Sequence, residues 1–79
     1  MKHFLKVKDQ LVAEFEFDEF SSAIRFVTQI AELAESENHH PDIDIRFTKI
    51  TVKLTTHDAG SAVTEKDYSL AEKIEKAYS

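Results

Sequence analysis

Residues 11–34 read LVAEFEFDEFSSAIRFVTQIAELA, and this stretch decides the fold because its hydrophobic period changes partway along. Apolar side chains occupy every odd position from 11 to 17, which is typical of a half-buried β-strand. Beyond it they recur at helical spacing, and Asp18 is the predicted N-cap. The helical stripe comprises Phe20, Ala23, Ile24, Val27, Ile30, Ala31 and Ala34. The chain therefore passes directly from a strand into a long amphipathic helix.

The apolar surface of this helix is wider than one stripe, because Phe26 and Leu33 fall outside the spacing above. A helix that only covers a sheet needs a single apolar face. We therefore expect the helix to pack on the sheet and also on a partner chain. A thick stripe that faces only the core of its own chain is the alternative.

The residues before this stretch predict a second strand. Side chains alternate in character from His3 to Lys8, and the polar run Lys8-Asp9-Gln10 is suited to a tight turn. Residues 3–17 are thus predicted to form a β-hairpin. His3 is expected to be a solvated surface histidine.

The helix is predicted to end between residues 35 and 38, because Pro41 disfavours helix before it. After an irregular loop, apolar side chains take odd positions over residues 43–47 and even positions over residues 50–54. This change of parity excludes one regular strand. A break at residues 48–49 predicts either two tightly joined strands or one strand with a bulge, and we favour two strands.

A second helix follows near the end of the sequence. Thr64-x-x-Asp67 has the form of a capping box, and helical spacing continues after it. The apolar positions are Leu70, Ala71, Ile74, Ala77 and Tyr78. The order β-β-α-β-β-α predicts an α+β fold, a two-layer sandwich whose four-stranded, largely antiparallel sheet carries two helices on one face. At this length, residues 1–79 are expected to form a single domain.

The composition argues against several functional classes. The sequence has no cysteine, which excludes a disulfide scaffold and a thiolate nucleophile. Its net charge of −5 argues against binding to duplex nucleic acid. It shows no apolar run of membrane-spanning length and no signal peptide, so no membrane association is expected and the cytoplasm is the expected location.

Three of the four histidines are predicted at the ends of elements, where catalytic groups are often displayed. His39 and His40 lie in the loop that Pro41 stiffens, and His57 ends the last predicted strand. Because histidine changes charge near neutral pH, these residues could supply both a general acid and a general base.

Glu35-x-x-x-His39-His40-Pro41 is followed by Phe47, by Thr56-His57-Asp58 and by Asp67. This pattern resembles that of the pterin-4a-carbinolamine dehydratases, some of which also act as dimerisation cofactors of a transcription factor. The phrases Phe15-x-Phe17-x-x-Phe20-x-x-Ala23-x-x-Phe26 and Asp67-x-x-Leu70-Ala71 resemble the same family, so the likeness covers nearly the whole chain. It implies a lyase without metal or cofactor that acts in tetrahydrobiopterin recycling. The lyase would convert 4a-hydroxytetrahydrobiopterin, a small-molecule pterin, to quinonoid dihydropterin and water, as a homodimer or homotetramer.

The resemblance also implies roles for the histidines. His40 would protonate the leaving hydroxyl group. His39 and His57 would hold the pterin and handle the proton of the neighbouring ring nitrogen.

Four further residues are implied as supporting residues of the site. Pro41 would shape the loop, and Glu35 would orient a histidine. Asp67 would orient a histidine or accept a hydrogen bond, although a capping role alone also explains it. Phe47 would line the pocket, although its place in the alternation favours the core.

Two other interpretations stay open, and three departures from the family pattern bear on the pocket. The histidines could instead bind zinc with an open fourth position, or the domain could serve as a non-enzymatic dimerisation module. Ile43 stands where many members have an aromatic residue. Ser61 stands where a second glycine is usual, in a turn that is one residue longer. The sequence also starts at the first strand, without the N-terminal helical segment of longer members.

Overall fold

The computed structural model describes residues 1–78 and contains four strands and two long helices in the predicted order. The strands are β1 Leu5–Val7, β2 Gln10–Glu16, β3 Asp42–Arg46 and β4 Lys49–Leu54. The helices are α1 Phe20–Glu37 and α2 Glu65–Tyr78, and a short 3₁₀ helix covers His57–Ala59. Neighbouring strands are antiparallel, in the order β1-β2-β4-β3. The predicted α+β class is confirmed.

The core lies between the helices and the face shared by β2 and β4. Leu11, Ala13 and Phe15 pair with Leu54, Val52 and Ile50 respectively, and each of these six side chains is at most 2% exposed. The helices contribute the buried residues Ala23, Phe26, Ile30, Ala34, Leu70, Ala71 and Ile74. The alternation that predicts β2 and β4 therefore meets a face of α1 in one hydrophobic core, which is the main stabilising contribution in so small a chain. That face differs from the predicted stripe, because Phe26 is buried whereas Phe20 and Ala31 are exposed.

The change of parity after residue 47 comes from a two-residue hairpin loop. Arg46 pairs with Lys49, so Phe47 and Thr48 form the loop, and odd positions of β3 face the same side as even positions of β4. The two-strand prediction is confirmed. Phe47 has a φ of 54° and a side chain that is 76% exposed, so its interpretation as a core residue is wrong. The side chain lies beyond the last paired residue and so leaves the alternation of the strand.

The segment before β1 is tied to α2, which corrects the expectation for His3. Nδ1 of His3 lies 2.7 Å from Oε1 of Glu75, and the main-chain N–H of Phe4 donates to Oε2 of the same carboxylate at 2.9 Å. The His3 ring also packs against the ring of Phe15, with the ring centroids 4.9 Å apart. His3 is therefore half-buried and paired. A partner on another element, far away in the sequence, explains why local sequence reasoning misplaced it.

Helix α1 begins without a side-chain cap. Glu19, with extended backbone (φ −134°, ψ 149°), is the N-cap, so the prediction of Asp18 is wrong. Burial of Ala23 and Phe26 in the early turns stabilises this end of the helix instead, since tertiary packing supplies most helical stability. Across residues 1–78, neither helix is both long and apolar enough to cross a membrane.

Candidate active site

The three predicted histidines meet at one end of the sheet. Strand β3 begins near the residue at which its antiparallel neighbour β4 ends, so the segments before β3 and after β4 share that end. His39 and His40 lie in the first segment and His57 lies in the second. All three line a surface cavity of about 210 Å³. The complete lining is Asn38, His39, His40, Thr55, Thr56, His57, Asp58 and Lys66.

The C-terminus of α1 determines where His39 lies. Asn38 adopts the left-handed conformation, with φ 52° and ψ 44°. Its N–H donates to the carbonyl of Glu35 at 3.2 Å, and the N–H of His39 donates to the carbonyl of Ala34 at 3.0 Å. These two bonds form a Schellman motif, and asparagine adopts the left-handed conformation more readily than most residues. The helix end itself therefore positions His39.

His39 is anchored to a buried carboxylate. Its Nε2 lies 2.6 Å from Oδ1 of Asp67, a residue with no exposed surface. The other oxygen, Oδ2, accepts hydrogen bonds from the hydroxyl of Thr56 at 2.7 Å and from the main-chain N–H of Thr64 at 2.9 Å. Asp67 lies in the first turn of α2, so one of its oxygens caps the helix while the other holds the histidine. The two alternatives raised for Asp67 are thus combined in one side chain.

The carboxyl group of Asp67 is kept in its charged form. Burial raises its pKa, but the hydrogen bonds from the His39 ring, the Thr64 N–H and the Thr56 hydroxyl outweigh burial and hold the pKa below its ordinary value. A carboxylate that stays ionised can only accept hydrogen bonds. The groups around Asp67 must therefore act as donors.

His40 and Glu35 form a second pair, on the surface. Nε2 of His40 lies 2.7 Å from Oε2 of Glu35, and the two side chains are 59% and 77% exposed. Exposed ion pairs contribute little to stability. The pair therefore orients the His40 ring at the cavity and adds little to the fold.

His57 offers a ring without a protein partner, because no hydrogen bond or ion pair engages it among residues 1–78. Strand β4 ends at Leu54, so the prediction that His57 ends a strand is wrong. The main chains of Thr56 and Ala62 instead form two hydrogen bonds, of 3.0 and 3.3 Å, that close a loop around residues 57–61. His57 opens the 3₁₀ helix in this loop.

Two residues that follow the 3₁₀ helix in this loop have left-handed backbone conformations. Gly60 and Ser61 have φ values of 72° and 59°, in the left-handed region where glycine has no steric cost. Ser61 thus adopts a backbone conformation that favours glycine. Its side chain does not line the histidine cavity.

The remaining predicted residues lie outside the lining of the cavity. Pro41 is half-buried between His40 and the start of β3. Phe47 lies at the opposite end of the β3–β4 hairpin, roughly 16 Å away at strand rise. Ile43 packs against the core. Within one chain, the structure does not bring Phe47 or Ile43 to the three histidines.

Sequence reasoning did not identify Asn38 or Lys66 as cavity residues. For Asn38 a signal exists, because asparagine just after the last periodic residue of a helix marks a left-handed C-terminal cap. Lys66 has no comparable signal, since an exposed lysine in the first turn of a helix is ordinary.

The zinc alternative lacks a ligand set in the described part of the chain. No three side chains of histidine, aspartate or glutamate within residues 1–78 lie close enough together to hold a metal ion. The Nε2 atoms of His39 and His40 each face a carboxylate instead of each other. The arrangement is better suited to proton transfer than to chelation.

Several known proteins are similar to this chain in sequence. The family model described as "Pterin 4 alpha carbinolamine dehydratase" matches residues 3–77. A protein of Chloroflexus aggregans is 49% identical over 72 residues, which are 91% of this chain and 76% of that protein. A protein of Roseiflexus sp. strain RS-1 is 55% identical over 62 residues, which are 78% of this chain and 66% of that protein. Both carry the provisional name pterin-4-alpha-carbinolamine dehydratase.

Two solved structures have the same architecture. The crystal structure titled transcriptional coactivator/pterin dehydratase, from Brucella melitensis, matches with a TM-score of 0.91 and 31% identity, covering 99% of this chain and 84% of that one. A pterin dehydratase-like protein described as a RuBisCO assembly factor in the alpha-carboxysome matches with a TM-score of 0.77 and 18% identity, covering 96% and 87%. The second likeness shows the fold alone.

Proposed function

Because the chain belongs to the pterin-4α-carbinolamine dehydratase family, we propose that it removes water from a 4a-hydroxytetrahydropterin by histidine general acid–base catalysis, in recycling of tetrahydrobiopterin. The C4a–O bond breaks and the hydroxyl leaves as water once it is protonated. The neighbouring ring nitrogen loses its proton and forms the double bond of the quinonoid dihydropterin. The reaction therefore needs one group that donates a proton to the hydroxyl and one group that accepts the proton of the ring nitrogen.

The observation that carries the proposal is the presence of three histidines in different settings around one cavity. His39 is held by a buried carboxylate, His40 pairs with an exposed one, and His57 has a free ring. Groups in unlike environments can take opposite roles in proton transfer. We assign His40 as the acid toward the hydroxyl, and His39 and His57 as the groups that hold the pterin and handle the ring proton.

The volume of the cavity supports the binding of a small ligand that is only partly enclosed. Its volume of about 210 Å³ is below the range of roughly 300–1,000 Å³ for pockets that bury drug-sized ligands. A flat bicyclic ring can be held there while its substituents stay in solvent. Lys66 adds a cation at the rim, suited to a polar ring edge.

The direct test is dehydration of a freshly generated 4a-hydroxytetrahydropterin with and without the purified protein. We expect the protein to accelerate product formation well beyond the spontaneous rate, with turnover that is unchanged after treatment with a chelator. A rate equal to the spontaneous one would leave the dimerisation module as the better description. Activity that disappears with the chelator and returns with zinc would replace the acid–base mechanism by a metal-dependent one.

We also propose that the chain associates with a second copy through the edge of β3. Strand β3 is an outer strand, so one row of its main-chain groups is unpaired. Ile45 is on the same side of the sheet as the core residue Ile50 and is still 42% exposed. A second chain laid against this edge would cover it.

The charged side chains of β3 are complementary to those of a second β3 strand that runs antiparallel to it. With the two-fold axis at Ile45, Arg46 faces the partner's Asp44 and Ile45 faces the partner's Ile45. This register sets opposite charges against each other and places isoleucines together, whereas an axis at Asp44 would set the two Asp44 carboxylates opposite each other. Such a closed, two-fold contact is the commonest form of homo-oligomer.

Charge reversal of Arg46 tests this contact. We expect the wild type to sediment as a dimer or larger species, and Arg46→Glu to shift it toward the monomer by at least tenfold in dissociation constant, because like charges then face each other. Lys6→Glu makes the same charge change on β1, at the other edge of the sheet, and should leave the distribution unchanged. A monomeric wild type, or equal effects of the two variants, would contradict the proposal.

A further inference from the structure

A chain of hydrogen bonds leads from the start of α2 to the ring of His39. Oγ1 of Thr64 lies 2.7 Å from Oγ1 of Thr56. The Thr56 hydroxyl donates to Oδ2 of Asp67 at 2.7 Å, and Oδ1 of Asp67 lies 2.6 Å from Nε2 of His39. These hydrogen bonds join four residues, which come from the end of α1, the segment after β4 and the start of α2.

The direction of every bond in this chain is fixed by counting protons. Asp67 is ionised, because the hydrogen bonds to it outweigh the effect of burial and lower its pKa, so it only accepts. Thr56 has one hydroxyl proton and gives it to Asp67, so Thr64 must donate to Thr56. Nε2 of His39 must likewise donate its proton to Asp67.

The other ring nitrogen of His39 is left open. No hydrogen bond engages Nδ1 among the described residues, and no buried side-chain nitrogen or oxygen in residues 1–78 lacks a partner. Nδ1 therefore reaches solvent, through the 11% of the side chain that is exposed, and His39 lines the cavity.

We propose that the Thr64–Thr56–Asp67 chain holds neutral His39 as the tautomer protonated at Nε2, so that Nδ1 is the atom that accepts a proton in the cavity. Thr56 and Thr64 are positioning residues that act through Asp67. The value of this tautomer for catalysis rests on the function proposed above, but the tautomer itself does not. A carboxylate that fixes a histidine tautomer in this way is a general device of catalytic and metal-binding sites.

The tautomer can be observed directly by ¹⁵N NMR of the full chain, at a pH where the histidines are neutral. We expect His39 to show one protonated and one unprotonated nitrogen, with the proton on Nε2 and no detectable second tautomer. We also expect this N–H proton to be protected from exchange with water, unlike those of the exposed His40 and His57. A proton on Nδ1, or a mixture such as free histidine gives, would overturn the proposal.

Two threonine variants test the positioning role. Thr56→Val removes the donor to Oδ2 and should speed exchange of the His39 Nε2 proton by about tenfold or more, while Thr56→Ser keeps the hydroxyl and should restore protection. Thr64→Val should act in the same direction with a smaller effect. Thr55→Val is the matched control, because Thr55 is also buried but donates to the main-chain oxygen of Asp9. If Thr55→Val and Thr56→Val have equal effects, Thr56 has no positioning role.

The result is separable from the outcome of the dehydration assay. A protected Nε2 proton in a protein without dehydratase activity would support the tautomer and contradict the function. An active enzyme with the proton on Nδ1 would support the function and overturn the tautomer. Should Thr56→Val fail to fold, the wild-type spectrum and Thr64→Val still decide the question.

Discussion

Replacing His40 with alanine should lower kcat/KM for dehydration of a 4a-hydroxytetrahydropterin by about 10²- to 10⁴-fold, the usual contribution of one positioned proton donor. The hydroxyl then has to leave without a proton from the protein, and water is a poorly placed substitute. The His40 side chain is 59% exposed, so the substitution removes little packing. The measurement is the initial rate with the spontaneous reaction subtracted, together with the free energy of unfolding of each variant.

Glu35→Gln provides the matched control for this experiment. It leaves the imidazole of His40 in place and removes only the charge of its exposed partner. Exposed pairs are worth about 1 kcal/mol or less, so the loss should stay below about tenfold. If His40→Ala retains the wild-type rate while His57→Ala loses activity, the proton donor is His57 and the assignment of roles proposed here is wrong.

Replacing Asp67 with asparagine should lower the free energy of unfolding by about 2–4 kcal/mol and the Tm by roughly 10 °C or more, since an 80-residue domain shifts several degrees per kcal/mol. Asp67 is fully buried and accepts bonds from His39, Thr56 and the Thr64 N–H. An asparagine amide offers one acceptor oxygen and turns two donors toward groups that also donate. Thermal and urea unfolding of the two proteins would measure the loss.

The same substitution should change how stability depends on pH. The pKa of Asp67 is lower in the folded chain than its ordinary value. The ionised carboxylate therefore contributes fully to the free energy of unfolding at pH values above the ordinary pKa of aspartate. This contribution is lost as the pH falls through the lowered pKa of the folded chain. Burial alone would raise the pKa, and the bonds from His39, Thr64 and Thr56 reverse that effect. Asp67→Asn should therefore unfold with a flatter dependence on pH in the acidic range than the wild type.

Asp58→Asn is the control for charge at the same cavity. Asp58 also lines it, but its side chain is exposed and makes no hydrogen bond among the described residues. We expect its stability and its acid unfolding to match those of the wild type. If the two asparagine variants lose stability equally, the buried network around Asp67 does not have the energetic role described above.

The spacing of apolar residues along the sequence predicts much of this fold, because buried positions recur at a regular interval along each strand and helix. The odd positions of β2 and the even positions of β4 lie in the core, as do Ala23, Ile30 and Ala34 of the stripe on α1. The same argument fails at element ends. Alternation cannot distinguish the last residue of a strand from the first residue of a loop, and Phe47 is exposed for that reason. It also cannot show whether Asp18 or Glu19 caps α1, since no side chain bonds to that end.

The sequence was enough to select the three histidines of the candidate site, but it did not predict the hydrogen-bond partners that surround them. Positions just before β3 and shortly after β4 place His39, His40 and His57 near each other once the β3–β4 hairpin is known. That Asp67 binds His39 and that the Thr56 hydroxyl binds Asp67 depends on how α2 packs beside the end of α1. Such contacts between distant segments leave no periodic signal. His3 and Glu75, which pair across almost the whole chain, show the same limit.

The bond between His39 and Asp67 links residues that are 28 positions apart, with β3 and β4 between them. A chain that has formed only one of its hairpins or helices does not yet have this site, so we expect the candidate site to be assembled in the same cooperative transition as the core. Folding and ligand occupancy are then thermodynamically linked. A compound that fills the cavity at 100 times its Kd would stabilise the native chain by about 2.7 kcal/mol. For so small a domain, the supply of its ligand would thus help to set how long each molecule survives proteolysis in the cell.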